Sequence, residues 1–463
     1  MGKHVRHLAL TLMAMFFVLI LHLTYLQVLK AEGLYLHPLN PRLKLLEEKT
    51  LRGDILDREG RVLARSSSFQ GRVNREYPLG RAAAHVIGYA SPRLGTSGLE
   101  AAYDGELLGL VGSLSYLNEF RRLQGLPRKG YGLLLTLDAE LQRLAFQLLE
   151  GYRGAVVALN PRTGEVLALA SSPSFDPQSV EEQWELLQDP RQGSPFLNRA
   201  IQGLYPPGST MKLVVAAAAL ERNFRIAESR FYCPGYIEIE GRRLTCPQVH
   251  GNINFRETLM YSCNVTFAQL ALEVGPVSLK KAADNFGFNQ ALSFDLPVVV
   301  SQAPFMEDSD ANLLAEGAIG QGKVLATPWQ MALVAAAIAN KGLLMKPFLV
   351  AKVIGDEGEV VKQTQPRLAR VATTPNIAQV IKEAMVATVE EGTGRSARLQ
   401  GLKVAGKTGS AQNPQGKAHS WFIGFAPADN PQIAVSVIME NAGAGAEAAA
   451  PVAREIIAKA LRR

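Results

Sequence analysis

Positions 8–29, LALTLMAMFFVLILHLTYLQVL, carry no formal charge apart from protonation of His22. As a helix rising about 1.5 Å per residue, this run reaches about 33 Å, the depth of a bilayer's hydrocarbon core. Lys3 and Arg6 precede it. The positive-inside rule therefore predicts a cytoplasmic N-terminus and an extracytoplasmic remainder. A cleaved signal peptide would carry a shorter apolar region ending in small residues. This run leaves through Thr24, Tyr25 and Gln27, which favours an uncleaved anchor. No comparable span follows in the sequence, so the rest reads as one extracytoplasmic unit.

Beyond the anchor the apolar pieces shorten. Turn signals at Gly53 and at Glu59-Gly60 bound "DIL" and "RVLA", which predict strands of a small mixed module. Residues 85–112 add a glycine-punctuated loop and an amphipathic helix starting near Ser97. Gly125, Pro127, Gly130 and Gly132 break the chain before "LLLTL", a strand. Asp138 then caps a helix whose Leu141, Leu144, Ala145 and Leu148 recur at helical spacing. The predicted units are an anchor over 1–30, a pedestal over 31–135 and a main domain over 136–463.

In the main domain two apolar strands flank "NPRTGE", a hairpin turn with Pro161 and Gly164. Thr327 caps an alanine-rich helix with Pro328 at its first position. The final quarter returns to strands, "LKVAGKTGSAQ", "HSWFIGFAP" and "QIAVSVIMEN", before a terminal helix. The fold class is α/β (α+β), with one central antiparallel sheet and helices on both faces.

Composition narrows the function classes. The 463 residues are 47% hydrophobic and 20% charged, which is globular rather than disordered. The net charge of +7 is not gathered into a basic stripe, and no nucleic-acid motif accompanies it. The basic excess suits an anionic membrane or an anionic substrate. Cys233 and Cys246 flank a predicted hairpin turning at Gly241. Either a disulfide or two unpaired thiols fits that placement. Metal binding is not expected, because no Cys-x-x-Cys pair or His cluster accompanies them.

The chemistry-bearing candidate is Ser209-x-x-Lys212 in "LYPPGSTMKLVVAAAALE". Pro206, Pro207 and Gly208 stop any earlier helix, so Ser209 stands at a helix start. Every residue from Leu213 to Leu220 is apolar, which marks a buried helix. Ser209 and Lys212 then share one face of the first turn, a hydroxyl beside an amine that burial would deprotonate. The pair alone is weak. Ser278-Leu-Lys-Lys281 repeats the pattern, with the serine expected to cap a surface helix and the lysines to be solvated. Two further motifs strengthen it. Ser262-Cys-Asn264 precedes an apolar helical run, and Lys407-Thr408-Gly409 lies on a strand among small residues, where a substrate backbone fits against the strand edge. Arg162-Thr163-Gly164 imitates the last motif, but in a hairpin turn.

Ser-x-x-Lys, Ser-x-Asn and Lys-Thr-Gly in this order are the signature of penicillin-binding proteins and serine β-lactamases. "RGDILDREGRVLA", "GTSGLEAAYDGEL", "NPRTGEVLALASSPSFDP", "AEGAIGQGKVLATP" and "GTGRSARLQGLKVAGKTGSAQ" extend the likeness. From the anchor to the last helix the chain resembles the class B penicillin-binding proteins, monofunctional peptidoglycan D,D-transpeptidases. The resemblance implies a penicillin-binding, serine β-lactamase-like domain needing no cofactor. It implies Ser209 as nucleophile on the penultimate D-alanine carbonyl of a stem peptide, Lys212 as general base and Ser262 as proton relay. Asn264 would hold the substrate amide, and Lys407 and Thr408, with Gly409 between strand and substrate, would bind the terminal carboxylate. The backbone N–H groups of Ser209 and Ser410 would form the oxyanion hole; Ser410 stands where many relatives carry threonine. Cys263 is not fixed by the motif and reads as a packing residue before a reactive thiol. The implied partners are peptidoglycan stem peptides and their lipid-linked precursor, β-lactams, the membrane and a SEDS-family glycan polymerase.

Two other readings stay open from sequence. A D,D-carboxypeptidase or β-lactamase needs a group that activates deacylating water, and none is identifiable. A non-catalytic β-lactam sensor would keep all three motifs.

Overall fold

A computed structural model describes residues 2–30, 50–69, 72–414 and 416–462. The start of the expected pedestal, residues 31–49, lies outside them. Helix α1, Gly2–Thr24, continues into a wider turn at Tyr25–Leu29 and buries none of its side chains against the rest of the chain. It is long and apolar enough to cross a membrane, and among the described residues no other helix is.

Two sheets organise the remainder. Along the chain their strands are β1 Ile55–Leu56, β2 Val62–Phe69, β3 Arg72–Glu76, β4 Gly132–Leu135, β5 Gly154–Leu159, β6 Val166–Ser172, β7 Val350–Ile354, β8 Val360–Gln363, β9 Ala405–Ala411, β10 His419–Ala426 and β11 Ile433–Met439. The first sheet has the order β8-β7-β4-β1-β2-β3. It is mixed: β1 runs parallel to β4, while β7 runs antiparallel to β4. It takes strands from both sides of residue 135, because β7 and β8 come from far along the chain. The Asp57 carboxylate, buried at the end of β1, organises the following turn by accepting from Glu59 N, Arg61 N and Arg61 Nε.

The second sheet, β6-β5-β11-β10-β9, is antiparallel throughout. The "NPRTGE" turn joins β5 to β6, with Gly164 at φ +84°. Both faces are apolar and both are covered, as the pattern predicted. Helix α2, Ala139–Gln147, begins at Asp138, whose side chain accepts from Glu140 N and Leu141 N. With the terminal helix Ala449–Leu461 it packs on one face. The other face meets Pro328–Ala339, a helix buried on every side and capped by Thr327 accepting from Gln330 N. At 20–33 cal/mol per Å2 of apolar surface removed from water, such burial is the main stabilising term of this layer.

Two local expectations are corrected. The helix begun after Ser97 is short, Gly98–Ala102, and breaks before Asp104–Leu107; a separate helix, Gly112–Leu123, follows unforeseen. Ser278 does not cap its helix. Gly275 does, with Pro276 at the first position, and Lys280 and Lys281 form exposed ion pairs with Asp284 and Glu221.

Candidate active site

Gly208–Met211 form one 3-10 turn that runs directly into the helix Lys212–Arg222. Gly208 adopts φ +57°, and its N–H donates to Gly320 O at 2.9 Å. The approach is so close that a Cβ on Gly320 would lie 2.0 Å from Gly208 O. Ser209 is half-buried in this turn at the wall of a cleft of about 1080 Å3. Ser262, Asn264, Thr408, Gly409 and Ser410 line the same cleft.

The three motifs converge on Ser262. Lys212 Nζ, fully buried, donates to Ser262 O at 2.7 Å and Asn264 Oδ1 at 2.7 Å, and lies 3.3 Å from Ser262 Oγ. Lys407 Nζ, also fully buried, donates to Ser262 Oγ at 2.8 Å and Thr408 O at 3.1 Å. Among the described residues neither amine forms a salt bridge. Burial therefore dominates both. It pushes Lys212 down to about 7, partly offset by the nearby thiols of Cys263 and Cys246. It pushes Lys407 well below the usual lysine range, and Lys212 adds to that. A neutral Lys212 spends its two N–H bonds on Ser262 O and Asn264 Oδ1, which leaves its lone pair for a proton. Among the described residues no hydrogen bond joins it to Ser209 Oγ; its hydrogen bonds go to the Ser262 loop.

Ser262 holds φ +60°, a left-handed conformation that costs a non-glycine residue on the order of 1 kcal/mol. It is not the cap of the following helix, Asn264–Val274; Cys263 is, with its Sγ accepting from Thr266 N. The Ser262 hydroxyl is thus left for the two amines.

Strand β9 carries Lys407 to Ser410 at the edge of the sheet, paired on one side only, with β10. A Cβ on Gly409 would approach Pro207 O to 3.0 Å, so the glycine lets the strand lie against the Ser209 turn. Ser410 is exposed to the cleft. Sequence reasoning missed Thr393, whose hydroxyl shares a 2.8 Å hydrogen bond with Thr408 Oγ1. The "GTG" around it was the available signal.

Cys233 and Cys246 do flank a hairpin, Tyr236–Ile239 with Arg242–Thr245, but both are free thiols with Sγ atoms 3.6 Å apart. No Cys-x-x-Cys pair or His cluster marks them in the sequence, yet one histidine and a third cysteine join them in space. His250 Nδ1 lies 3.3 Å from Cys233 Sγ, and Cys263 Sγ lies 3.7 Å from Cys246 Sγ. The signal was absent because spacings of 13, 4 and 13 residues match no local metal motif.

Comparison with known proteins assigns the chain to a family. The penicillin binding protein transpeptidase domain family matches residues 154–458, and the penicillin binding protein A dimerisation domain family matches residues 52–132. The chain therefore belongs to the penicillin-binding proteins, with the class B D,D-transpeptidases. It is 34% identical to the peptidoglycan D,D-transpeptidase PbpA of Mycolicibacterium smegmatis, over 100% of this chain and 99% of that one. It is 33% identical to MrdA of Acinetobacter baumannii, over 82% of this chain and 66% of that one. The ceftriaxone acyl-enzyme complex of penicillin-binding protein A from M. tuberculosis superposes with a TM-score of 0.84 at 32% identity, covering 90% of this chain and 99% of that one.

Proposed function

We propose that this chain cross-links peptidoglycan stem peptides through an acyl-enzyme on Ser209 and is acylated at the same residue by β-lactams. One observation carries the assignment: Ser262 Oγ lies within reach of both buried amines, 3.3 Å from Lys212 Nζ and 2.8 Å from Lys407 Nζ. Lys212 takes the Ser209 proton as Oγ attacks the penultimate D-alanine carbonyl. The N–H groups of Ser209 and Ser410 receive the oxyanion. The proton passes through Ser262 to the departing D-alanine, and an acceptor amine from a second strand then displaces Ser209. Asn264 holds the donor amide, and Thr408 with Lys407 receives the terminal carboxylate, whose charge offsets the burial of the Lys407 amine.

The charge flanking α1 supports an anchor with the catalytic unit on the extracytoplasmic side. The segment 31–135 serves as a pedestal, and we assign it the contact with a SEDS-family polymerase. Fluorescent penicillin labelling of wild type and Ser209→Ala, with a chase, tests the assignment. Labelling drops to background in the variant, and the wild-type adduct is long-lived. An adduct lost within seconds would mean a hydrolase, and full labelling of Ser209→Ala would refute the nucleophile.

A further inference from the structure

Cys233, Cys246, His250 and Cys263 have no part in the chemistry above, yet their ligating atoms all lie within 4.8 Å of one another. We propose that these four residues bind a zinc ion in a closed Cys3His site, and that the ion fixes the loop carrying Ser262 and Asn264.

The spacing fits a tetrahedron. Zn–S bonds of about 2.3 Å place two sulfurs about 3.8 Å apart, and a Zn–N bond of about 2.0 Å places nitrogen about 3.5 Å from sulfur. Cys246 Sγ lies 3.6 Å from Cys233 Sγ and 3.7 Å from Cys263 Sγ, His250 Nδ1 lies 3.3 Å from Cys233 Sγ, and the remaining pairs are within 4.8 Å. A disulfide would use two of the three thiols and leave the third beside the imidazole.

The surroundings are those of metal-bound thiolates. Cys246 Sγ accepts from Asn264 N at 3.0 Å and Val265 N at 3.4 Å; Cys263 Sγ accepts from Thr266 N at 3.4 Å and Thr266 Oγ1 at 3.3 Å. Such outer donors stabilise sulfur charge and orient the ligands. Cys233 and Cys263 are wholly buried, and the His250 ring stacks on Tyr261 at 5.9 Å. Soft thiolates with one imidazole suit zinc. On binding, each thiol releases its proton and the neutral imidazole donates its lone pair.

The ligands come from four separate places: the end of strand Arg230–Cys233, the residue after Arg242–Thr245, the residue before Gly251–Asn254, and the cap of helix Asn264–Val274. The ion thus staples a small β-lobe to that helix. Cys263 lies between Ser262 and Asn264, and Asn264 Nδ2 donates to Thr245 O at 2.8 Å, beside Cys246. Losing the ion would free the loop that orders the catalytic amine.

The test uses the full chain in detergent, purified under reducing conditions without chelator. Elemental analysis should find about one zinc per chain, and a chromogenic chelator should release it only after thiol modification. His250→Ala and Cys233→Ala should each weaken zinc retention at least about tenfold, with circular dichroism showing the fold intact. Stripping zinc should slow penicillin labelling, and zinc but not magnesium should restore it. The site is refuted by less than about a tenth of a zinc per chain with no uptake from added zinc, by another metal in its place, or by a peptide map with Cys246 and Cys263 disulfide-linked in most molecules. Full zinc with labelling indifferent to its removal would refute the coupling to the loop. Metal content is read independently of labelling, so failure of the zinc site and failure of the Ser209 assignment are separate results.

Discussion

Both the pedestal and the cleft bury charge-bearing side chains, and they treat them in opposite ways. In the pedestal, Glu100 is wholly buried between two arginines: Arg52 Nε reaches Oε2 and Arg75 Nε reaches Oε1, each at 2.8 Å. Asp104 meets Arg52 from the other side at 2.8 Å. Each of these four charges has a counter-charge, so the ions persist and their work is structural. In the cleft, Lys212 and Lys407 are buried to the same degree with hydroxyl, amide and carbonyl oxygens as partners and no carboxylate bridged to either among the described residues. Burial without a counter-charge shifts the proton equilibrium instead. The difference separates charges held by counter-charges from amines whose proton is loosened, as the role proposed for Lys212 requires.

Lys212→Met should give the largest effect on this contrast. Penicillin acylation should fall by about 10²–10⁴, the usual contribution of a general base. Stability should rise. Lys212 titrates near 7 when folded and near 10.5 when unfolded, so between those values the unfolded chain holds more protons and stability climbs with pH. The lysine's cost is greatest below pH 7, and removing it should raise the midpoint of denaturant unfolding most there. A lower midpoint in the variant at pH 6 would break the comparison.

The same titration sets the pH profile. As the proposed base, Lys212 would work only as the free amine, so the wild-type acylation rate should rise with pH around a midpoint near 7. A rate flat from pH 5.5 to 9 would mean that Lys212 stays in one protonation state throughout.

Glu100→Gln should do the reverse of Lys212→Met. It leaves buried guanidinium groups without their carboxylate, a loss of about 3–5 kcal/mol in unfolding free energy. Acylation per folded molecule should be unchanged. The smallest effect belongs to Thr393→Val, which removes the bond to Thr408. A hydrogen bond worth about 0.5–1.5 kcal/mol corresponds to roughly a two- to tenfold slower acylation, with stability little altered.

What the sequence determined is what the chain settles locally. A sustained uncharged run makes α1 whatever it packs against. Asp138 and Thr327 cap their helices because a short polar side chain reaches the amides two or three residues on. Proline and glycine close the turn between β5 and β6 within the six residues 160–165. The three motifs were legible for the same reason, since each is a few adjacent residues with its own context of helix start, loop or strand. Other features were decided only by tertiary structure. Strand β7 enters a sheet begun some three hundred residues earlier because its register with β4 is set in space. Thr393 meets Thr408, a ring nitrogen of His250 comes within 4.8 Å of three sulfurs, and Lys212 bonds to Ser262 and Asn264, because packing decides where side chains from distant segments come to rest. Periodicity and capping act over three or four residues, and no local rule encodes which remote group will stand across a cleft.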